Sequence, residues 1–153
     1  LEIGDIHPVL LHFSIVLFFI VFVLDFLLFI GKLQEPFSSV SHWIVIIAAV
    51  LALFTVITGL YAVELDHESN SYVFIHRNWA LSTLAYSIVH VFFRGYVVWK
   101  KKVFSAYVFL FISLVNLTLI STTAEYGGFV ARSKGLWMHY LFPKSTKHKH
   151  EHH

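Results

Sequence analysis

The chain has 153 residues, of which 58% are hydrophobic, 18% aromatic and only 13% charged, with a net charge of +2. About a quarter of the residues of a soluble domain are charged, so a core of this size could not hide so much apolar surface, and a water-soluble monomer is excluded. The small positive charge argues against a nucleic-acid partner, and the absence of cysteine excludes disulfides, iron–sulfur clusters and thioether-linked haem.

A bilayer core of about 30 Å takes about 20 apolar helical residues, and four stretches meet that length. The first runs from about Pro8 to Ile30 and stops at Gly31-Lys32, with Pro8 expected in the first turn, where proline is tolerated. Its acidic start (Glu2, Asp5) and its length do not fit a signal peptide. The second runs from about Val40 to Val63, after Pro36. The third runs from about Val73 to Trp99, and the fourth from about Val103 to Thr123, with its end expected before Gly127-Gly128. The short connections make neighbouring helices antiparallel. The expected fold is therefore all-α, an integral membrane four-helix up-down-up-down bundle, with no obvious internal repeat.

Residues 129–142 mix Trp137, Tyr140 and Phe142 with Arg132 and Lys134, which suits an interfacial segment. The organisation expected is one domain over residues 1–142 and a His-rich tail over residues 143–153. Lys32, Arg94 and Lys100 to Lys102 fall at one end of the bundle. The other end carries Arg77, Arg132 and Lys134 among Glu2, Asp5, Glu64, Asp66, Glu68 and Glu125. By the positive-inside rule the first end faces the cytoplasm and both termini face the periplasm of a bacterial inner membrane.

Eleven histidines in so apolar a chain are the main chemical signal. Ionisable groups inside a membrane are costly and usually functional, although any one His can serve as a helix–helix hydrogen bonder. His76 and His90 are fourteen residues apart in the third span, so they share a face at about 21 Å separation. Between and beyond them the face carries Ala80, Thr83, Ser87 and Arg94, small residues closed by a cation. Such a strip leaves room for flat, bulky cofactors, and two neutral imidazoles per iron complete a six-coordinate haem. Depth pairs His12 with His76 and His42 with His90. Two haem b groups, each with two histidine ligands, are expected on these pairs.

In the second span Ala48, Ala52, Thr55, Gly59 and Ala62 form a small-residue stripe. It reads as close helix packing, or as clearance for a macrocycle near Gly59. Arg77 and Arg94 neighbour proposed ligands and could pair with haem propionates, though Asp25 competes for Arg94. His7 shares a face with Ser14 and Asp25 and lies about 140° from His12. It is either the alternative ligand to His12 or a contact for a propionate or a quinone.

The opening Ile6-His7-Pro8-Val9-Leu10-Leu11-His12-Phe13 resembles that of small bacterial four-span proteins grouped as domain of unknown function 2231. Thr58-Gly59, His76 and Glu125-Tyr126-Gly127-Gly128-Phe129-Val130 match later landmarks of that family. Ser14 stands where the family usually has Pro after His-Phe, and Phe129 where it has an acidic residue. The resemblance implies the four-span fold and little chemistry. In plan alone, the paired histidines are also similar to those of di-haem membrane cytochromes b.

The function expected is electron carriage across the membrane, with a quinol as mobile partner, a redox partner not encoded in any motif, and Glu64, Asp66, Glu125 or His7 as proton acceptors by position. Quinol oxidation would make the protein an oxidoreductase. Two other readings compete. One is copper or zinc handling through His7, His12, His67, His76 and the tail. The other is a structural subunit.

Overall fold

In a computed structural model the described residues are 3–31, 37–65, 71–100 and 106–133. They form four helices: α1 (Ile3–Phe29), α2 (Phe37–Leu65), α3 (Ser71–Trp99) and α4 (Ala106–Ser133). All four are long and apolar enough to cross a membrane. The His-rich tail, Asp66, His67, Glu68 and most of the expected interfacial segment lie outside the described residues.

Two boundaries differ from expectation. Helix α1 begins at Ile3, so Pro8 sits inside it. Proline there lacks the N–H that would bond the Gly4 carbonyl, and its ring crowds that oxygen; His7 becomes an intrahelical residue. Helix α4 runs through Gly127-Gly128 to Ser133. Glycine weakens a helix but stops it only where the backbone turns left-handed, as Gly31 does after α1 with φ +70°.

Each helix packs on its two neighbours in the order α1, α2, α3, α4 and back to α1. The central apolar cluster is Phe18, Ala48, Ala52 and Ile120. Val21, Val45, Ala49, Val73 and Val97 are also buried, and the remaining interior is polar. Ser14, Asp25, Ser41, Thr55, Thr83, Ser87, His90, Arg94, Ser113, Asn116 and Thr123 are buried, while Phe13, Trp43, Val89, Phe92, Trp99, Tyr107 and Phe111 point outward. That polarity suits a hydrocarbon solvent. Several interior hydroxyls bond carbonyls one turn back, Thr55 to Leu51 O at 2.8 Å among them, while Thr83 and Thr123 Oγ1 meet across α3 and α4 at 2.8 Å, so that one donates to the other and the other to its own helix.

The buried positions of the α1–α2 hairpin recur in α3–α4. Sixty-nine positions separate His7 from His76, Ser14 from Thr83, Val21 from His90 and Asp25 from Arg94. Sixty-eight separate Ala48 from Asn116, Ala52 from Ile120, Thr55 from Thr123 and Gly59 from Gly127. The two hairpins therefore present inward positions at matching spacings, while the side chains at most of these positions differ.

The end of the bundle where α1 and α3 begin is called the upper end below, and the opposite end the lower. At the lower end Arg94 reaches diagonally from α3 to the Asp25 carboxylate on α1 and to Ser41 Oγ on α2. Ser41 also donates to Asp25 Oδ1 at 3.3 Å, and the guanidinium lies 4.7 Å from the Phe109 ring of α4. Arg94 is 2% exposed and Asp25 fully buried, so each ion needs the other. Asp25→Ala strands a buried cation and is expected to cost about 3–5 kcal/mol. Thermal unfolding in detergent checks this, with Asp25→Leu combined with Arg94→Met recovering most of the loss.

Candidate functional site

The upper site is built twice, once by each hairpin. In the first, the His7 Nδ1–H donates to Thr55 O on α2 at 2.9 Å. The ring lies against Gly59, where a Cβ would stand 2.8 Å from His7 Cε1. In the second, the His76 Nδ1–H donates to Thr123 O on α4 at 2.9 Å, and a Cβ at Gly127 would stand 3.1 Å from His76 Cε1. Thr55 and Gly59, like Thr123 and Gly127, are four apart, so one helical face offers the carbonyl and the gap beside it. A carbonyl only accepts, so both rings carry their proton on Nδ1, which leaves the Nε2 lone pair free.

The two rings face each other across the seam between hairpins, with centroids 6.3 Å apart and planes at 87°. Trp79 stacks on Tyr126 at 6.4 Å and Tyr72 on Phe129 at 5.9 Å, which fixes α3 on α4 at this end. Just below lies a cavity of about 20 Å³, bordered by Ser14, Thr55, Ala80, Thr83 and Thr123.

His12 is not part of this site. It is exposed on the outer face of α1, with Nδ1 2.6 Å from Pro8 O of its own helix. The structure therefore does not bring His12 to His76; His7 holds that place. The polar face that His7 shares with Ser14 and Asp25 is the one turned inward, because Asp25 must meet Arg94. Arg77 is exposed, 5.1 Å from the Phe74 ring, and Arg94 is engaged with Asp25 and Ser41. Gly59 gives clearance, but to the His7 imidazole.

At the lower end His90 is 1% exposed. Its Nδ1 lies 3.3 Å from the Asn116 amide, whose other side lies 3.0 Å from Ser87 Oγ. Ser87 Oγ is also 2.8 Å from Thr83 O. A hydroxyl has one proton. Where Ser87 gives it to Asn116 Oδ1, the amide Nδ2 donates to His90 Nδ1, as the structure has it; where Ser87 gives it to Thr83 O, the amide turns over, donates to Ser87 and accepts from His90 Nδ1–H. Amide orientation is set by such networks. In the second arrangement His90 has the same tautomer as His7 and His76. Its Nε2 is buried without a partner, as are His42 Nδ1, Asp25 Oδ2 and Arg94 Nε. His42 sits on α2 beside Gly95 of α3, where a Cβ would stand 3.4 Å from His42 Cε1. Next to it opens a recess of about 380 Å³, lined by His42, Ile46, Val91, Phe92, Gly95, Tyr96 and Trp99.

The glycine contacts predict an ordered series. Gly59→Ala must displace the His7 ring and is expected to cost about 1–3 kcal/mol, as overpacking does. Gly127→Ala should cost less, and Gly128→Ala, where a Cβ meets nothing within 4 Å, least. Unfolding temperatures of the three variants in one detergent check the order.

Neither the curated proteins nor the solved structures contain a match to this chain. A family model does match, over residues 4–139, under the description Predicted membrane protein (DUF2231). With four apolar helices spanning nearly the whole of that match, the chain belongs to this family of membrane proteins.

Proposed function

We propose that the protein is a di-haem b-type membrane cytochrome, carrying electrons between the two ends of the bundle and exchanging them with a quinol. The observation that carries this reading is the upper histidine pair. Imidazole nitrogens bind metals at about 2 Å, and with each ring centre about 1 Å behind its nitrogen, two rings on one metal stand about 6 Å apart. The His7 and His76 centroids are at 6.3 Å. Each Nδ1–H rests on a backbone carbonyl, the outer-shell bond that orients ligating histidines.

His7 and His76 would hold the upper haem, and His42 and His90 the lower. The unpartnered His90 Nε2 and His42 Nδ1 support the lower pair. The upper rings meet edge to face at a separation that ordinary ring contacts also show, and the cavity beneath has only about one water's volume. The small side chains of the seam would have to give way to a macrocycle. The haem supplies the redox chemistry when bound; the chain supplies axial nitrogens, burial and orientation.

Copper or zinc handling is the second reading. Among the described residues no group of three or more His, Cys, Asp or Glu gathers at one point. His67 and the tail histidines of that reading lie outside the described residues. For orientation, Arg94 leaves the charge tally because Asp25 neutralises it inside the bundle. Beside the spans Lys32 and Lys100 to Lys102 outnumber Arg77, Arg132 and Lys134, while Lys144, Lys147 and Lys149 of the tail add to the other end; on the residues beside the spans we assign the lower end to the cytoplasm of a bacterium and both termini to the periplasm.

The test is the visible spectrum of the full chain, expressed with haem available and purified in detergent. Reduced protein should show sharp α and Soret bands, with two haems per chain. His7→Ala and His76→Ala should each remove one and the same haem, His42→Ala and His90→Ala the other, and His12→Ala neither. A colourless protein that instead binds copper or zinc overturns the proposal.

A further inference from the structure

Equivalent positions of the two hairpins carry neutral partners at the upper end and opposite charges at the lower. His7 corresponds to His76, and Asp25 to Arg94. The lower charges are not placed evenly around His42 and His90. Arg94 lies one helical turn beyond His90 on the same face, and its neighbour Gly95 is the residue against which His42 packs. Asp25 approaches from α1 on the opposite diagonal, with Oδ1 engaged by the guanidinium and Ser41. Phe109 covers the guanidinium from α4. The whole group is sealed from solvent, where a charge acts over several ångströms with little screening. At the upper pair the neighbouring cation, Arg77, is exposed, where water and ions weaken its field.

We propose that Arg94 is a positioning residue for electron transfer, holding the lower centre at a higher reduction potential than the upper, so that electrons run from the upper to the lower end; Asp25 limits the size of the difference. This rests on the reading that His42 and His90 carry a haem. Oxidised iron has one more positive charge than reduced iron, so a fixed cation nearby disfavours the oxidised form, and local charge is one of the levers that set such potentials. The transfer is of one electron: the upper iron goes from ferrous to ferric, the lower from ferric to ferrous, and no bond or proton is exchanged.

Redox potentiometry of the full haem-loaded chain in detergent tests this, following the α band. Wild type should titrate in two components, and His90→Ala should remove the higher one. Arg94→Gln should move that component to lower potential and Asp25→Asn should move it higher, with the other component unchanged in both. Both substitutions break the same ion pair, so a purely structural role would move the component in one direction in both, which overturns the proposal. Should either single change unfold the bundle, one chain carrying both removes the two charges together. Its higher component should then lie below the wild-type value, and an unchanged value overturns the proposal. A protein without haem bands before any titration refutes the haem reading itself, and a single haem lost in His7→Ala but kept in His90→Ala refutes the lower centre.

Discussion

The ion pair between Arg94 and Asp25 sets the rotation of the helices, and the upper site follows from that rotation. A charge in hydrocarbon is too costly to leave alone, so α1 must turn Asp25 inward and α3 must turn Arg94 towards it. Eighteen residues separate His7 from Asp25 and His76 from Arg94. At 3.6 residues per turn that is five full turns, about 27 Å along the axis. Once the diagonal bond closes at the lower end, the two histidines face each other at the upper. Ser41 and Phe109, equivalent positions on α2 and α4, flank the guanidinium and bring the remaining helices into the same register.

The polar interior has a second consequence. Between the ion pair and the histidines the inward face is mostly Ser, Thr and Ala, so helix backbones can approach closely and their hydroxyls can bond carbonyls one turn back. No large apolar side chain of this face separates the His7 ring from Thr55 or the His76 ring from Thr123. Gly59 and Gly127 complete the approach by removing the one atom that would collide with each ring.

Much of this was legible in the sequence. The four spans followed from length and hydropathy, and the strip Thr83, Ser87, His90, Arg94 proved to be the buried face of α3. The choice between His7 and His12 could not be made from depth, because treating Pro8 as the start of the helix made His7 look terminal. Periodicity held the better information: His7 falls in phase with Ser14 and Asp25, and His12 does not. The role of Gly127 was hidden because Gly-Gly looks like a helix end, while here the helix continues and the first glycine faces an imidazole. The correspondence between the hairpins is hard to read from sequence because these inward positions are identical only at His7/His76, Thr55/Thr123 and Gly59/Gly127.

That pattern bears on how a site arises from two hairpins of matching spacing. Where both copies must supply the same chemistry, as two equal imidazoles do, the equivalent residues stay identical together with their carbonyls and glycines. Where the axis would bring two copies of one charge together, identity is unstable: two Asp or two Arg facing each other in hydrocarbon repel. One copy must change sign, and Asp25 opposite Arg94 is that solution. The same divergence gives Val21 on α1 where α3 has His90, and Leu110 on α4 where α2 has His42. The lower end therefore has only one set of its histidines, beside only one of the two charges. The bundle is two-fold in architecture and asymmetric in its buried charge.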